Sequence, residues 1–271
     1  MPRLQIDLLD DSEWPDAGFA FELPIKPENT ALVVVDVQRY ATDTTGNLAD
    51  TVHHQQPELQ AGFAARADQM IANIQRLLAR FRTDGRRVIY TCHGQQSHDG
   101  SDLSLRRRGR EAAAKQSTDG DSGHMPMKQD AGYAIDSRVA PQADEVVLDK
   151  NTSSAFHTTP IDLYLRNMGI ETLVLTGVAA DQCVLATAID AADRGFHVIL
   201  ASDAVANLDP GSAAATQILF GRVWGYVMTT DDILSWMTSG QPPQRTRRPA
   251  SGRDCAGVRQ QGRPAARFVL Q

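Results

Sequence analysis

The run Thr30–Gln38, TALVVVDVQ, constrains this chain more than any other stretch. Its apolar residues are continuous and mostly β-branched. A strand with one wet face alternates; a continuous run suits a strand buried on both faces of a parallel sheet. Similar runs recur as RRVIYTCH (Arg86–His93), DEVVLDK (Asp144–Lys150), ETLVLTG (Glu171–Gly177) and HVILASDA (His197–Ala204). A sixth lies within WGYVMTTDDIL (Trp224–Leu234), followed by a short helix. Helical spacing fills the gaps. Met70, Ile71, Ile74, Leu77, Leu78 and Phe81 mark one helix, with Gly85 as its stop. Thr159–Gly169 enters through Thr-Pro and closes on glycine, Asp181–Gly195 closes the same way, and Pro210 starts another helix. Strand and helix alternating in this way predict a doubly wound α/β domain, with a mostly parallel six-stranded sheet and helices on both faces, in three layers.

Composition bounds the rest. With 271 residues, 42% hydrophobic and 22% charged, the chain reads as a globular protein able to bury a sizeable core. Three cysteines, Cys92, Cys183 and Cys255, do not make a disulfide framework, so a reducing cytoplasm is expected. No apolar run reaches the roughly 18 residues of a membrane span. The N-terminal stretch lacks the apolar segment of a secretory signal. Residues 1–28 read as an extended lead-in, 29–240 as the folded domain, and 241–271 as a basic, disordered tail with seven arginines and one acid. No aromatic residues are interleaved with that charge, so neither nucleic acid nor membrane is expected as a partner. Residues 94–144 are polar and read as a functional or flexible loop. Within them, Arg106–Arg110 could place a guanidinium on a substrate carboxylate, but the plainer reading, a solvated loop, is favoured.

In a parallel sheet, ligands bind beyond the carboxyl ends of the strands. Three predicted strands lead there to reactive residues: Asp36, Lys150 and, through the turn GVAADQC, Cys183. Each alone has a bland reading, as a turn acid, a surface lysine and a buried inert thiol. Together they place an acid, a cation and a thiol in one crevice. A helix N-terminus and a nearby ammonium lower a thiol's pKa, and a carboxylate can carry its proton. The small residues of GVAA let backbone N–H groups approach a developing oxyanion. Asp181 reads as a helix-start acid whose charge opposes a thiolate, leaving Lys150 the larger share of activation.

VVVDVQ, VLDKNTSSAF and LVLTGVAADQCVLATAIDAADRGFHVILASDA resemble, in this order, the three motifs of the isochorismatase-like cysteine hydrolases, over about residues 28–235. The resemblance implies Asp36 as general base, Lys150 as its electrostatic partner and Cys183 as nucleophile. It implies a cis peptide at Val178–Ala179 and an oxyanion hole built from the N–H groups of Ala179 and Cys183. It also implies a homo-oligomer, dimer or tetramer, that hydrolyses a small amide, carbamoyl or ureido compound. Nicotinamidase relatives bind a metal through an Asp-x-His segment after the second strand and a further histidine. Thr91 stands where that acid belongs, so no metal or other cofactor is expected; His93 reads as a pocket residue and His98 as a loop residue. Gln38, Tyr40, His93 and Phe156 are candidates for substrate contact, and Phe156 reads equally as core. Two alternatives remain: vinyl-ether hydrolysis with Asp36 as acid, whose practitioners usually lack the cysteine, and a catalytically silent binding or assembly module.

Overall fold

Every residue of β1 (Thr30–Val35) is buried. Leu32 and Val34 point into one apolar cluster, while Ala31, Val33 and Val35 point into another. Core on both sides is why the strand has no polar face. The computed structural model describes residues 23–43, 62–117 and 125–241. Readings placed on residues 1–22, on most of the segment after Asp43 and on the basic tail with Cys255 lie outside the described residues.

The other strands are β2 (Val88–His93), β3 (Val146–Lys150), β4 (Thr172–Val178), β5 (His197–Ala206) and β6 (Tyr226–Met228). They form one sheet in the order β3-β2-β1-β4-β5-β6. Every neighbouring pair is parallel, so the expected mostly parallel sheet is wholly so. The order reverses between β1 and β4, which opens a crevice at their carboxyl ends.

Parallel neighbours need crossovers, and helices supply them on both faces. After a single turn, α1 (Arg39–Thr42), the long α2 (Phe63–Thr83) buries Met70, Ile74, Leu77 and Phe81 against β1 and β5. The second face carries α4 (Ala155–Thr158), α5 (Ile161–Asn167), α6 (Leu185–Asp193) and α7 (Pro210–Val223), which begins on an Asp209 cap with Pro210 in its first turn. The closing helix α8 (Thr230–Ser239) returns to α2 and seats the fully buried Trp236. Its start is fixed by a capping box between Thr229 and Asp232. No helix among the described residues is long and apolar enough to cross a membrane.

Three expectations change. The polar segment 94–144 contains a helix, α3 (Leu105–Ser117), and two short 3-10 turns at Ala131–Tyr133 and Ser137–Val139. Arg106–Arg110 therefore lies on a helix and not in a solvated loop. The helix expected from Asp181 opens instead as one wide π turn, Ala180–Val184, before α6. The described end of the lead-in is pinned: Ile25 is buried, and the Leu23 N–H donates to the Tyr226 hydroxyl at 3.1 Å.

Candidate active site

Asp36 follows β1 directly, with φ at +52°. That left-handed region is uncommon for a residue with a side chain, though aspartate is among those that enter it most readily. Its N–H is held by the Thr91 carbonyl at 3.0 Å. Gly177, near the end of β4, has φ +108°. A Cβ on it would stand 2.0 Å from the Val35 carbonyl oxygen, so glycine is what lets β4 lie this close to β1. The next peptide, Val178–Ala179, is cis. The π turn then delivers Cys183 to the crevice. The Ala179 carbonyl accepts from the N–H groups of Gln182 and Val184, at 3.1 and 3.3 Å, and not from that of Cys183 between them.

The three strand-end residues converge. Lys150 reaches from the sheet edge past β2, and its Nζ lies 2.7 Å from Asp36 Oδ2, both side chains being sealed from water. Nζ also donates to the Thr152 carbonyl at 3.0 Å. This is no surface lysine. Thr91, the residue at the acid's place in the metal-binding relatives, donates its hydroxyl to Asp36 Oδ1 at 2.6 Å. The Asp36 carboxylate lies near enough to the Cys183 thiol to act on its pKa.

The state of that thiol corrects the sequence reading. Burial pushes the Cys183 thiol up to about 11; Lys150 pulls it down less strongly, and Asp36 pushes it up again. The opposing negative charge thus comes from Asp36, where sequence had pointed to Asp181. At neutral pH the sulfur is a protonated thiol, with no standing thiolate. A protonated thiol beside a carboxylate can act as a nucleophile with its general base.

A cleft of about 600 Å³, counted out to its open mouth, lies over the sulfur. Tyr40, His93, Ala179 and Cys183 line it, with Arg107 and Arg110 of α3 on the opposite wall. A more open groove of about 900 Å³ on the far side of Arg107 holds none of the three catalytic candidates. Tyr40 is buried beside Asp36 and Cys183; desolvation first, then those two groups, raise its phenol well above the usual value. His93 is 1% exposed, and neither ring nitrogen has a partner. Burial, then the Lys150 and Arg107 cations, lower its pKa well below the ordinary range, so the imidazole is neutral.

Two candidates for substrate contact have other work. Gln38 is fully buried; its Oε1 accepts from the His93 N–H at 2.7 Å and its Nε2 donates to the Tyr133 carbonyl at 2.8 Å. It clamps the ends of β1 and β2 and does not line the cleft. Phe156 packs in the core, its ring 6.0 Å from that of Phe196. Arg107 and Arg110 are the wall residues that sequence reading set aside; the signal was their one-turn spacing on a basic run. A metal does not fit the nicotinamidase pattern here. Thr91 is committed to Asp36, His98 is exposed, and no group of three or more His, Cys, Asp or Glu is placed to hold an ion among the described residues.

Known proteins share this arrangement of chain. The family model described as the Isochorismatase domain matches residues 30–232. The ureidoacrylate amidohydrolase RutB of Rhizobium rhizogenes is 29% identical over 237 residues, covering 82% of this chain and 89% of that protein. The N-carbamoylsarcosine amidase of an Arthrobacter species is 30% identical over 175 residues, covering 63% of this chain and 62% of the amidase. Among solved structures, a cysteine hydrolase from Pseudomonas syringae pv. phaseolicola superposes with a TM-score of 0.64 at 25% identity, covering 81% of this chain and 97% of that one. With its family match spanning the whole sheet and the crevice between β1 and β4, this chain belongs to the isochorismatase family.

Proposed function

We propose that this protein is a cysteine amidohydrolase that cleaves the C–N bond of a small amide, carbamoyl or ureido compound through a thioester on Cys183. The observation that carries the reading is Cys183 lining the cleft beside a buried carboxylate that Lys150 and Thr91 hold in place. The relatives named for ureidoacrylate and N-carbamoylsarcosine support the bond type.

The steps follow from the geometry. Asp36 accepts the thiol proton as Sγ bonds to the carbonyl carbon. The oxygen becomes an oxyanion facing the N–H groups of Ala179 and Cys183. Asp36 returns the proton to the departing nitrogen, the C–N bond breaks, and ammonia or an amine leaves. Water, deprotonated by Asp36, then attacks the thioester and restores the thiol. Lys150 pairs with Asp36 and keeps it aimed. No step calls for a metal ion.

Cys183→Ala and Cys183→Ser are expected to lose ammonia release by at least about 10³-fold while keeping the fold. Rapid quenching of the natural enzyme is expected to show an acyl adduct on the peptide that carries Cys183. Turnover that survives Cys183→Ala but not Asp36→Asn points instead to acid-catalysed vinyl-ether cleavage.

A further inference from the structure

Arg107 is 7% exposed, yet its guanidinium is poorly partnered. Nη1 meets the Met125 sulfur at 4.0 Å, Nη2 meets the Ser153 hydroxyl at 3.4 Å, and the buried Nε has no partner at all. A guanidinium offers five N–H donors in a fixed fork. Two long contacts, one to sulfur, leave most of that capacity unused. Buried polar groups are nearly always satisfied, and a buried charge normally finds an opposite one. None of the ion pairs among the described residues includes Arg107.

The surroundings do not supply the missing anion. The charge of Lys150 is met by Asp36. Glu111 accepts from the Met125 N–H, and Asp181 acts on Arg110. Arg110, one turn further along α3, donates to Gln182 Oε1 at 3.2 Å and adds a second cation to the same wall. Arg107 lines the same cleft as Cys183, Tyr40 and His93. His93, neutral and unpartnered, faces the same space.

We propose that Arg107, supported by the more exposed Arg110, is the receptor for a carboxylate carried by the substrate, so that the enzyme acts on short carbamoyl or ureido acids in preference to neutral amides. This rests on the hydrolase reading above and adds to it the charge of the substrate. Arg–carboxylate pairing is planar and bidentate, and Arg107 has donor capacity left for it, its Nε being unpartnered. Entry of the anion would neutralise a buried cation that has no ion pair among the described residues. It would also fix the distance from carboxylate to scissile carbonyl, since Arg107 and Cys183 sit on elements that close the same cleft.

The test pairs short ω-ureido acids, of two to four carbons, with N-alkylureas of equal length that lack the carboxylate. In the natural enzyme kcat/KM for the best acid is expected to exceed that of its neutral partner by at least about 100-fold. Arg107→Gln is expected to cut that ratio at least about 30-fold, and Arg107→Lys to keep part of it, as a point charge without the fork. A ratio near one, or one that survives Arg107→Gln, overturns the proposal. If ammonia release then still depends on Cys183, the hydrolase reading stands without it. Calorimetry reads the receptor without turnover. The same acids are expected to bind the Cys183→Ala protein at least about 10-fold tighter than the Cys183→Ala, Arg107→Gln double variant. Equal affinity, or none in either, overturns the proposal even if no compound is hydrolysed.

Discussion

The two walls of the cleft are built differently. One is made of strand ends: Asp36 and Cys183 follow β1 and β4 and Lys150 ends β3, strands whose backbones are locked by parallel ladders. The other is α3, a helix inserted between β2 and β3. It buries Arg107 and Ala114, while its Leu105 stands 79% exposed. The first wall cannot shift without moving the sheet. The second is attached by few apolar contacts and presents charge. In the proposed function, reaction chemistry is placed where the fold is stiffest, and selection of the substrate where sequence can vary at little structural cost.

The same substitution should have opposite signs on the two walls. At Gly177 a methyl group would meet the Val35 carbonyl oxygen at 2.0 Å, and φ is +108°. Backbone cannot yield there cheaply, so Gly177→Ala is expected to cost on the order of 4 kcal/mol or prevent folding. At Gly109, inside α3, nothing lies within 4 Å of the added methyl. Gly109→Ala is expected to stabilise by about 0.5–1 kcal/mol, the usual gain within a helix. Urea titration of both variants checks this. A loss at Gly109 similar to that at Gly177 would mean that α3 is as tightly constrained as the sheet.

Two buried cations extend the contrast. Lys150 is paired and Arg107 is not. Lys150→Met strands the Asp36 carboxylate in the core and is expected to cost about 3–5 kcal/mol. Arg107→Met removes a buried charge that lacks a partner, leaves nothing stranded, and is expected to gain about 1 kcal/mol or more. Arg107 would then be kept for binding at some expense of stability. Melting temperatures that fall in both variants would show Arg107 to be structural.

What sequence disclosed follows the same division. The strands were legible because burial on both faces forces an unbroken apolar run, as in LVVV of β1. Asp36, Lys150 and Cys183 were legible because strand ends in a parallel sheet share one edge. Helix α3 was not, because apolar residues at helical spacing are what mark a buried helix face, and this helix turns an arginine inward. Phe156 and Gln38 lie beside motif residues in sequence, but chain neighbours alternate in direction. One went to the core and the other became a clamp. The thiol's state was misread because sequence shows the helix start and the lysine while hiding burial, which is the largest influence on it.

That last point gives the smallest and most graded prediction. Alkylation of Cys183 by iodoacetamide, followed by mass of its peptide, should rise with pH toward a midpoint of about 11. An ordinary thiol has its midpoint near about 8.5. The shifts on substitution should rank with the strength of each neighbour. Lys150→Met removes the main group that lowers the value, so its midpoint moves up most. Asp36→Asn removes a hydrogen-bond acceptor and a negative charge, so its midpoint moves down. Arg107→Gln removes a weaker cation and moves the midpoint up least. A midpoint near 8.5 in the natural protein would restore the standing thiolate. A midpoint near 11 leaves almost no thiolate at neutral pH, so the proton must leave as sulfur attacks. Asp36 is the carboxylate acting on the thiol, and Asp36→Asn should then abolish turnover even as it makes the thiol more acidic.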